Sequence, residues 1–436
     1  MTDRSYPDSL EIIPLKNPPE ATIRVPGSKS ITNRALIMGA LSDPIQGCEI
    51  QGALCSEDTE IMITALRELG FSARTDWEKS SIHVKRGSHE SPIPAEKADL
   101  FVGNSGTSMR FLTALVSLGH GVYRLDGVSR MRERPMNDLL SALGQLGVKV
   151  VSEGGDGYPP IIVHADSLMG GQVQVSGEVS SQFLSGLLMV APKAAKDIRI
   201  HVKGVLVSRA YVNMTMAMMR DFGVKVEQEG KTRFFISGNQ KYRSCSYHVE
   251  PDASAASYFL GAAAVTNGQI SVPTLNRDGL QGDAHFVDIL KEMGCDLLSP
   301  EVGKECTIIG GPLSAVDVDM NTMSDCVMTL AAVACFAEGP TTIRNVAHIR
   351  YKETDRLKAL ANELRKIGAE VDEFPDGLKI TPRPLHGAAI ETYNDHRMAM
   401  SMALIGLKVP GIVIRNPGCV AKTYPRFFDD LELLRK

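Results

Sequence analysis

Two apolar patterns alternate along the chain. In the first, apolar positions recur three and four residues apart and end in an apolar residue followed by glycine: RELG at Gly70, GQLG at Gly147, RDFG at Gly223, KEMG at Gly294 and RKIG at Gly368. The glycines are 77, 76, 71 and 74 residues apart. A helical period that stops at glycine predicts an amphipathic helix closed by a left-handed residue. Strand-like runs follow, such as VKVV from Val148 and VKVE from Val224. The second pattern is small and apolar nearly all round: ALIMGAL (35–41), FLTALVSL (111–118), FLSGLLMV (183–190), YFLGAAAV (258–265), VMTLAAVACF (327–336) and MAMSMALIGL (398–407). Helices of that kind are buried. Strands follow these too, as in YRLDG at Tyr123 and TTIRNV at Thr341.

Strand, buried helix, strand, amphipathic helix and two further strands make one repeat unit, and six such units fit the sequence. The strand-like run LEIIPL (10–15) is left over and is expected to complete the sixth. The predicted fold is α/β: two similar domains, each of three βαβαββ repeats around buried helices, with the active site in a cleft between domains. Residues 1–25 plus 245–436 would form one domain (repeats 4–6) and residues 26–244 the other (repeats 1–3). An ordinary α/β alternation with chance spacing is the plainer alternative.

Polar residues gather just ahead of each buried helix: PGSKS (26–30), GNSGTS (103–108), GEVSSQ (177–182), EPDAS (250–254), NTMSDC (321–326) and YNDHR (393–397). Ser, Asp and Asn cap helices routinely. Capping alone does not ask for Lys29, Gln182, His396 or Arg397. Helix N-termini also attract anions, because their N–H groups are free and the helix dipole is positive there. Six such starts facing one cleft would suit a multiply anionic ligand. Two more loops stand out. SRMRERP (129–135) brings Arg130, Arg132 and Arg134 together, either as a carboxylate or phosphate clamp or as a solvated basic loop. RYKETDRL (350–357) mixes signs densely at a helix start.

Composition narrows the class. The chain has 436 residues, 43% apolar and 22% charged, with a net charge of −4, so it is globular and has no overall basic excess of the kind nucleic-acid binders carry. No nucleic-acid partner is expected. Across residues 26–34, 104–110, 130–135, 180–183, 207–211, 323–326, 348–356, 394–397 and 422–426, Lys and Arg outnumber Asp and Glu by 13 to 5 while the rest of the chain is acidic, the pattern of a site that draws in a small anion. No 18-residue apolar run and no leader-like N-terminal pattern occur, so a cytoplasmic protein without a membrane partner is expected. The eight cysteines form no C-x-x-C pair and the ten histidines no H-E-x-x-H, so no metal is expected. GSKS (27–30) lacks the rest of a phosphate loop, with Ser28 where glycine is needed before lysine. No dinucleotide fingerprint follows a strand, and no G-x-S-x-G occurs.

Taken in order, PGSKSITNRAL, GNSGTSMR, MRERPM, SSQFLSGLL, KETDRL, YNDHRMAM and AKTYP resemble the 5-enolpyruvylshikimate-3-phosphate synthase family of enolpyruvyl transferases, from Pro26 to Pro425. The resemblance implies two domains of three βαβαββ units and a chain that crosses twice between them. It implies transfer of the enolpyruvyl group of phosphoenolpyruvate to the 5-hydroxyl of shikimate 3-phosphate, through a tetrahedral ketal that loses phosphate. By resemblance, Lys29, Asp325 and Glu353 are the proton-transfer candidates, with their division of labour open. Shikimate 3-phosphate would meet Lys29, Ser30, Arg34, Ser180, Ser181, Gln182, Ser208, Arg209, Asp325 and Lys352. Phosphoenolpyruvate would meet Lys29, Asn104, Gly106, Arg134, Gln182, Arg356, His396, Arg397 and Lys422. Gly106 is the small residue tied to glyphosate sensitivity, so glyphosate is expected to compete with phosphoenolpyruvate. His348 stands where the family often has Asn, which touches one substrate contact.

The family implies no metal or organic cofactor; action as a monomer is also expected, as is domain closure on the ligands. Two other readings compete. The sister transferase acting on UDP-N-acetylglucosamine typically carries a Cys in the loop here reading LDGVSRMRERP, and Lys-Asn where this chain has Lys29-Ser30. A non-catalytic anion-binding repeat protein would not need Asp325 and Glu353 beside Lys29.

Overall fold

The structure is a computed structural model that describes residues 6–298 and 305–436; residues 1–5, with which the expected segment 1–25 begins, and 299–304 lie outside the described residues. The chain divides into two compact units. A discontinuous unit takes the residues up to Pro26 together with Glu250–Lys436, and a continuous unit takes Gly27–Val249.

Repeat 2 shows the plan. Strand Lys97–Phe101 leads to the inner helix Gly106–Val116, strand His120–Asp126, the outer helix Asn137–Gln145, and strands Lys149–Ser152 and Ile161–Asp166. The sheet runs first-second-fourth-third, with the first two strands parallel and the other neighbours antiparallel. Repeat 3, from Gly171–Ser176 to Arg233–Ile236, and repeat 5, from Asp317–Asp319 to Gly377–Thr381, have the same order. The strand Ser9–Ile12, which overlaps the leftover apolar run, pairs antiparallel with Ile412–Arg415 in the sheet of repeat 6.

Repeats 1 and 4 obtain their first strands by exchange. Glu20–Thr22 precedes the inner helix of repeat 1, yet it lies parallel to Gln269–Pro273 in repeat 4. Ser246–His248 precedes the inner helix of repeat 4, yet it lies parallel to Cys48–Gln51 in repeat 1. Residues 245–249, grouped by the sequence reading with repeats 4–6, therefore sit in the continuous unit. The Val249 N–H donating to the Gln51 carbonyl extends the same pairing.

The six inner helices are Lys29–Ala40, Gly106–Val116, Ser181–Val190, Ala253–Thr266, Val327–Ala334 and His396–Gly406. All fourteen residues of Ala253–Thr266 are buried, as its uniformly apolar sequence requires. The inner helices of repeats 4, 5 and 6 pack pairwise into the core of the discontinuous unit. The outer helices end as their glycines predict. Gly70, Gly147, Gly223, Gly294 and Gly368 have φ between +84° and +110°. In each case the next residue's N–H returns to the carbonyl three residues before the helix cap, as in Phe71 to Leu66 at 2.9 Å and Val224 to Met219 at 2.8 Å. No helix among the described residues is long and apolar enough to cross a membrane.

Candidate active site

Side-chain caps account for five of the six inner-helix starts. Ser28, Ser105, Ser180, Asp252 and Asp395 each accept a backbone N–H from the first turn. Repeat 5 differs. A short 3-10 turn, Asn321–Met323, precedes its helix, Cys326 occupies the cap position without a side-chain capping bond, and Asp325 is left to cationic partners.

In the discontinuous unit these partners form one network. Asp325 Oδ1 is 2.5 Å from Lys352 Nζ and 3.2 Å from Arg356 Nη1, and Oδ2 is 2.7 Å from Arg397 Nη2. Arg356, buried, also donates to Glu353 Oε2 at 2.8 Å and to both oxygens of Asp395 at 2.7 and 3.2 Å. Arg397 Nη1 reaches the Tyr258 hydroxyl at 3.1 Å. Burial acts to raise the Asp325 pKa, but Arg397, Lys352 and Arg356 outweigh it and hold the carboxyl well below the usual range. Burial lowers the Lys352 ammonium, with Asp325 opposing. His396 is fully buried with Nδ1 3.5 Å from Asp395 Oδ1. Lys422 is buried at the end of the turn Pro417–Lys422, which packs on the inner helix of repeat 6. His348 is buried as well, and burial with the charges of Lys352 and Arg356 pushes its imidazole down to about 3, so it is neutral at ordinary pH.

The continuous unit gathers a second set. Lys29 Nζ is 3.3 Å from Asp58 Oδ2 at the start of the outer helix of repeat 1. Gly106 begins the inner helix of repeat 2 against two guanidinium groups. A Cβ there would fall 2.3 Å from Arg134 Nη2 and 2.5 Å from Arg110 Nη1. Arg134 donates to the Asn104 carbonyl at 3.1 Å and to its side-chain oxygen at 3.4 Å. Gln182 Nε2 donates to Thr107 Oγ1 at 3.1 Å, tying the helix start of repeat 3, with Ser180 and Ser181, to that of repeat 2.

Other candidates have local partners of their own. Arg34 is buried in the helix core, donating to Thr215 Oγ1 at 2.7 Å, to Ser185 Oγ at 3.4 Å and to the Ser30 carbonyl at 3.0 Å, with Phe111 under its guanidinium. Burial pushes its pKa down to about 10. Ser208 is left-handed, with φ of +50°, ahead of the helix Arg209–Asp221, and Arg209 donates to the Lys231 carbonyl. The arginine loop separates as well. Arg130 pairs with Glu133 and Arg132 with Asp126, while Arg134 alone of the three is buried.

Sequence reasoning did not single out Asp58, Arg110, Asp395 or Asp283. Asp395 was visible only as a helix-start acid. Asp283 lies in the turn Gly282–His285, bonds Ser254 Oγ, and is raised to about 6 by burial first and by Asp325 next. Two buried carboxyls, Asp325 and Asp283, are thus driven in opposite directions by their surroundings. No group of three or more metal-ligating side chains occurs among the described residues.

Comparison with known proteins places this geometry in a family. The profile of EPSP synthase (3-phosphoshikimate 1-carboxyvinyltransferase) matches residues 15–431. A 3-phosphoshikimate 1-carboxyvinyltransferase of Nostoc punctiforme is 50% identical over 432 residues, covering 98% of this chain and 100% of its own. That of Trichormus variabilis is 49% identical over 424 residues, covering 97% and 98%. Among solved structures, the EPSP synthase of Acinetobacter baumannii superposes with a TM-score of 0.79 at 26% identity over 97% of each chain. The enolpyruvyl transferase NikO of Streptomyces tendae shares the fold, with a TM-score of 0.77 at 21% identity over 98% of this chain and 97% of its own. The chain belongs to the EPSP synthase family.

Proposed function

We propose that the protein transfers the enolpyruvyl group of phosphoenolpyruvate to the 5-hydroxyl of shikimate 3-phosphate and releases phosphate. The observation that carries this is the Asp325 carboxylate held ionised inside a cage of Lys352, Arg356 and Arg397. Addition needs a base near the attacking hydroxyl, an acid for the methylene carbon, and cations on the phosphate and carboxylate. Asp325 is suited to accept the hydroxyl proton. Glu353 and Lys29 are the acids for the methylene carbon. The hydroxyl oxygen bonds to C2 of phosphoenolpyruvate as the methylene takes a proton. The resulting ketal then loses phosphate and one methyl proton, restoring the double bond.

Ser180, Ser181, Gln182, Ser208, Arg209 and Lys352 hold shikimate 3-phosphate in this reading, with Ser30, whose carbonyl Arg34 fixes. Asn104, Gly106, Arg134, Arg356, His396, Arg397 and Lys422 hold phosphoenolpyruvate. In this reading the protein acts as a monomer in the cytoplasm. The neutral His348 carries one donor and one acceptor nitrogen in place of a charge near the sugar-like substrate.

The test is phosphate release from phosphoenolpyruvate, with shikimate 3-phosphate and UDP-N-acetylglucosamine supplied separately. Release with the shikimate ester alone is expected. Release with the UDP sugar alone would transfer the reading to the sister reaction, and silence in both would overturn catalysis.

A further inference from the structure

Cys48 and Cys245 lie 197 residues apart in sequence and side by side in the fold, with their sulfurs 3.6 Å apart. Cys48 opens the strand Cys48–Gln51, and Cys245 immediately precedes Ser246–His248, the parallel edge strand beside it. Ser246 is opposite Glu49, so the two cysteines are opposite each other by the same register. The Glu49 N–H donates to the Cys245 carbonyl at 3.1 Å, and the Cys245 N–H donates to Cys48 Sγ at 3.3 Å. Directly opposed residues on neighbouring strands are about 5 Å apart at Cα, within the span a disulfide bridges.

The pair is asymmetric. Cys48 is buried and Cys245 half-buried, after the irregular segment 241–244 that contains exposed Lys241 and Arg243. The Cys245 hydrogen bond, against burial, brings the Cys48 thiol down to about 7, so Cys48 is the readier thiolate of the two. None of the proposed substrate contacts lies on either strand.

We propose that Cys48 and Cys245 form a reversible redox site, a dithiol that a small-molecule disulfide converts to an internal disulfide. Cys245, the accessible partner, passes its proton to the Cys48 thiolate and attacks the reagent, forming a mixed disulfide with one half; the other half takes that proton back from Cys48 and leaves as a thiol. Cys48 then attacks Cys245 Sγ and displaces the second half. Two protein thiols are oxidised and one reagent disulfide is reduced to two thiols, with no net change in protons. The bond would staple the edge strand Ser246–His248, which hydrogen-bonds to only one neighbouring strand. It would thereby restrain the segment through which the chain leaves the continuous unit.

The full chain is incubated with oxidised glutathione, alkylated, digested without reduction and mapped by mass. A Cys48–Cys245 cross-linked peptide is expected, lighter by two hydrogens and reversed by dithiothreitol. Two of the eight thiols should be lost to alkylation. Cleavage by trypsin after Lys241 and Arg243 should slow, and Tm should rise. Cys245→Ser and, independently, Cys245→Ala should abolish the cross-link and both shifts while leaving turnover of the reduced enzyme unchanged. Persistence of glutathione on Cys245 without resolution by Cys48, or full alkylation of both thiols after oxidation, overturns the proposal.

Discussion

Asp325 is the residue on which the site's charge balance turns. Lys352, Arg356 and Arg397 face Asp325, Glu353 and Asp395, so the network is close to neutral before any ligand arrives. Asp325→Asn removes one carboxylate charge and leaves buried cations under-paired, which costs about 3–5 kcal/mol in comparable pairs. Turnover with shikimate 3-phosphate should fall by ~100-fold or more, the usual worth of a general base, while ligand binding stays measurable by calorimetry. The pH dependence has a definite sign. The folded pKa of Asp325 lies below its unfolded value, so its stabilisation is complete above about 4 and is lost as pH falls through the folded value. The stability gap between wild type and Asp325→Asn, from denaturant unfolding, should be flat from pH 7 to 5 and shrink below 4; a gap that narrows already at pH 6 would count against this assignment. Gly106 makes the steric counterpart. A methyl group there meets Arg134 and Arg110 at distances no Cβ tolerates, so Arg134 must move. A displaced charge-assisted hydrogen bond is worth roughly 1.5–3 kcal/mol, so Gly106→Ala should raise KM for phosphoenolpyruvate by about tenfold or more. Glyphosate should compete with phosphoenolpyruvate in the parent and inhibit the variant less, both read from steady-state kinetics.

Helix starts carry two different loads that look alike in sequence. Ser180 caps through one bond to the Gln182 N–H, and Ser180→Ala should cost about 1 kcal/mol of stability. Asp395 also caps, but its carboxylate receives two bonds from buried Arg356 of the neighbouring repeat. Asp395→Ala should cost about 3–5 kcal/mol, and Asp395→Asn should recover only the cap's share; equal losses for Ser180→Ala and Asp395→Ala in chemical denaturation would refute the distinction. The contrast also marks how far the sequence could be read. Residue types and spacing are local, so the alternation of helices, the glycine caps and the polar starts were legible. Partners are set by which helices become neighbours. Arg132 was therefore not seen to be taken up by Asp126, nor Arg34 by Thr215 and Ser185. NTMSDC read like the other starts, although its Asp serves Lys352, Arg356 and Arg397 rather than the helix.

At the scale of the whole molecule, the reciprocal loan of two short strands is what residue patterns could not reveal. Glu20–Thr22 and Ser246–His248 have three residues each, too few for an alternation to show, and their partners lie more than 190 residues away. The loan fixes where the continuous unit ends. Ser246–His248 supplies the edge of the repeat 1 sheet, Tyr247 packs its ring 5.1 Å from Phe222, and Val249 is buried with its N–H on the Gln51 carbonyl. A buried Val contributes about 2 kcal/mol, an aromatic pair about 1, and each ladder hydrogen bond about 1, so this segment stabilises the unit by roughly 4–6 kcal/mol. A fragment of residues 27–249 retains every strand of repeats 1–3 and should unfold cooperatively on heating. A fragment of residues 27–244 lacks the borrowed edge and should melt lower by about 10–20 °C, or fail to fold. Restoring the strand by adding a peptide of residues 244–250 to the shorter fragment should recover part of the difference. Equal melting of the two fragments would mean that the edge strand contributes no stability and that the unit ends, energetically, before it.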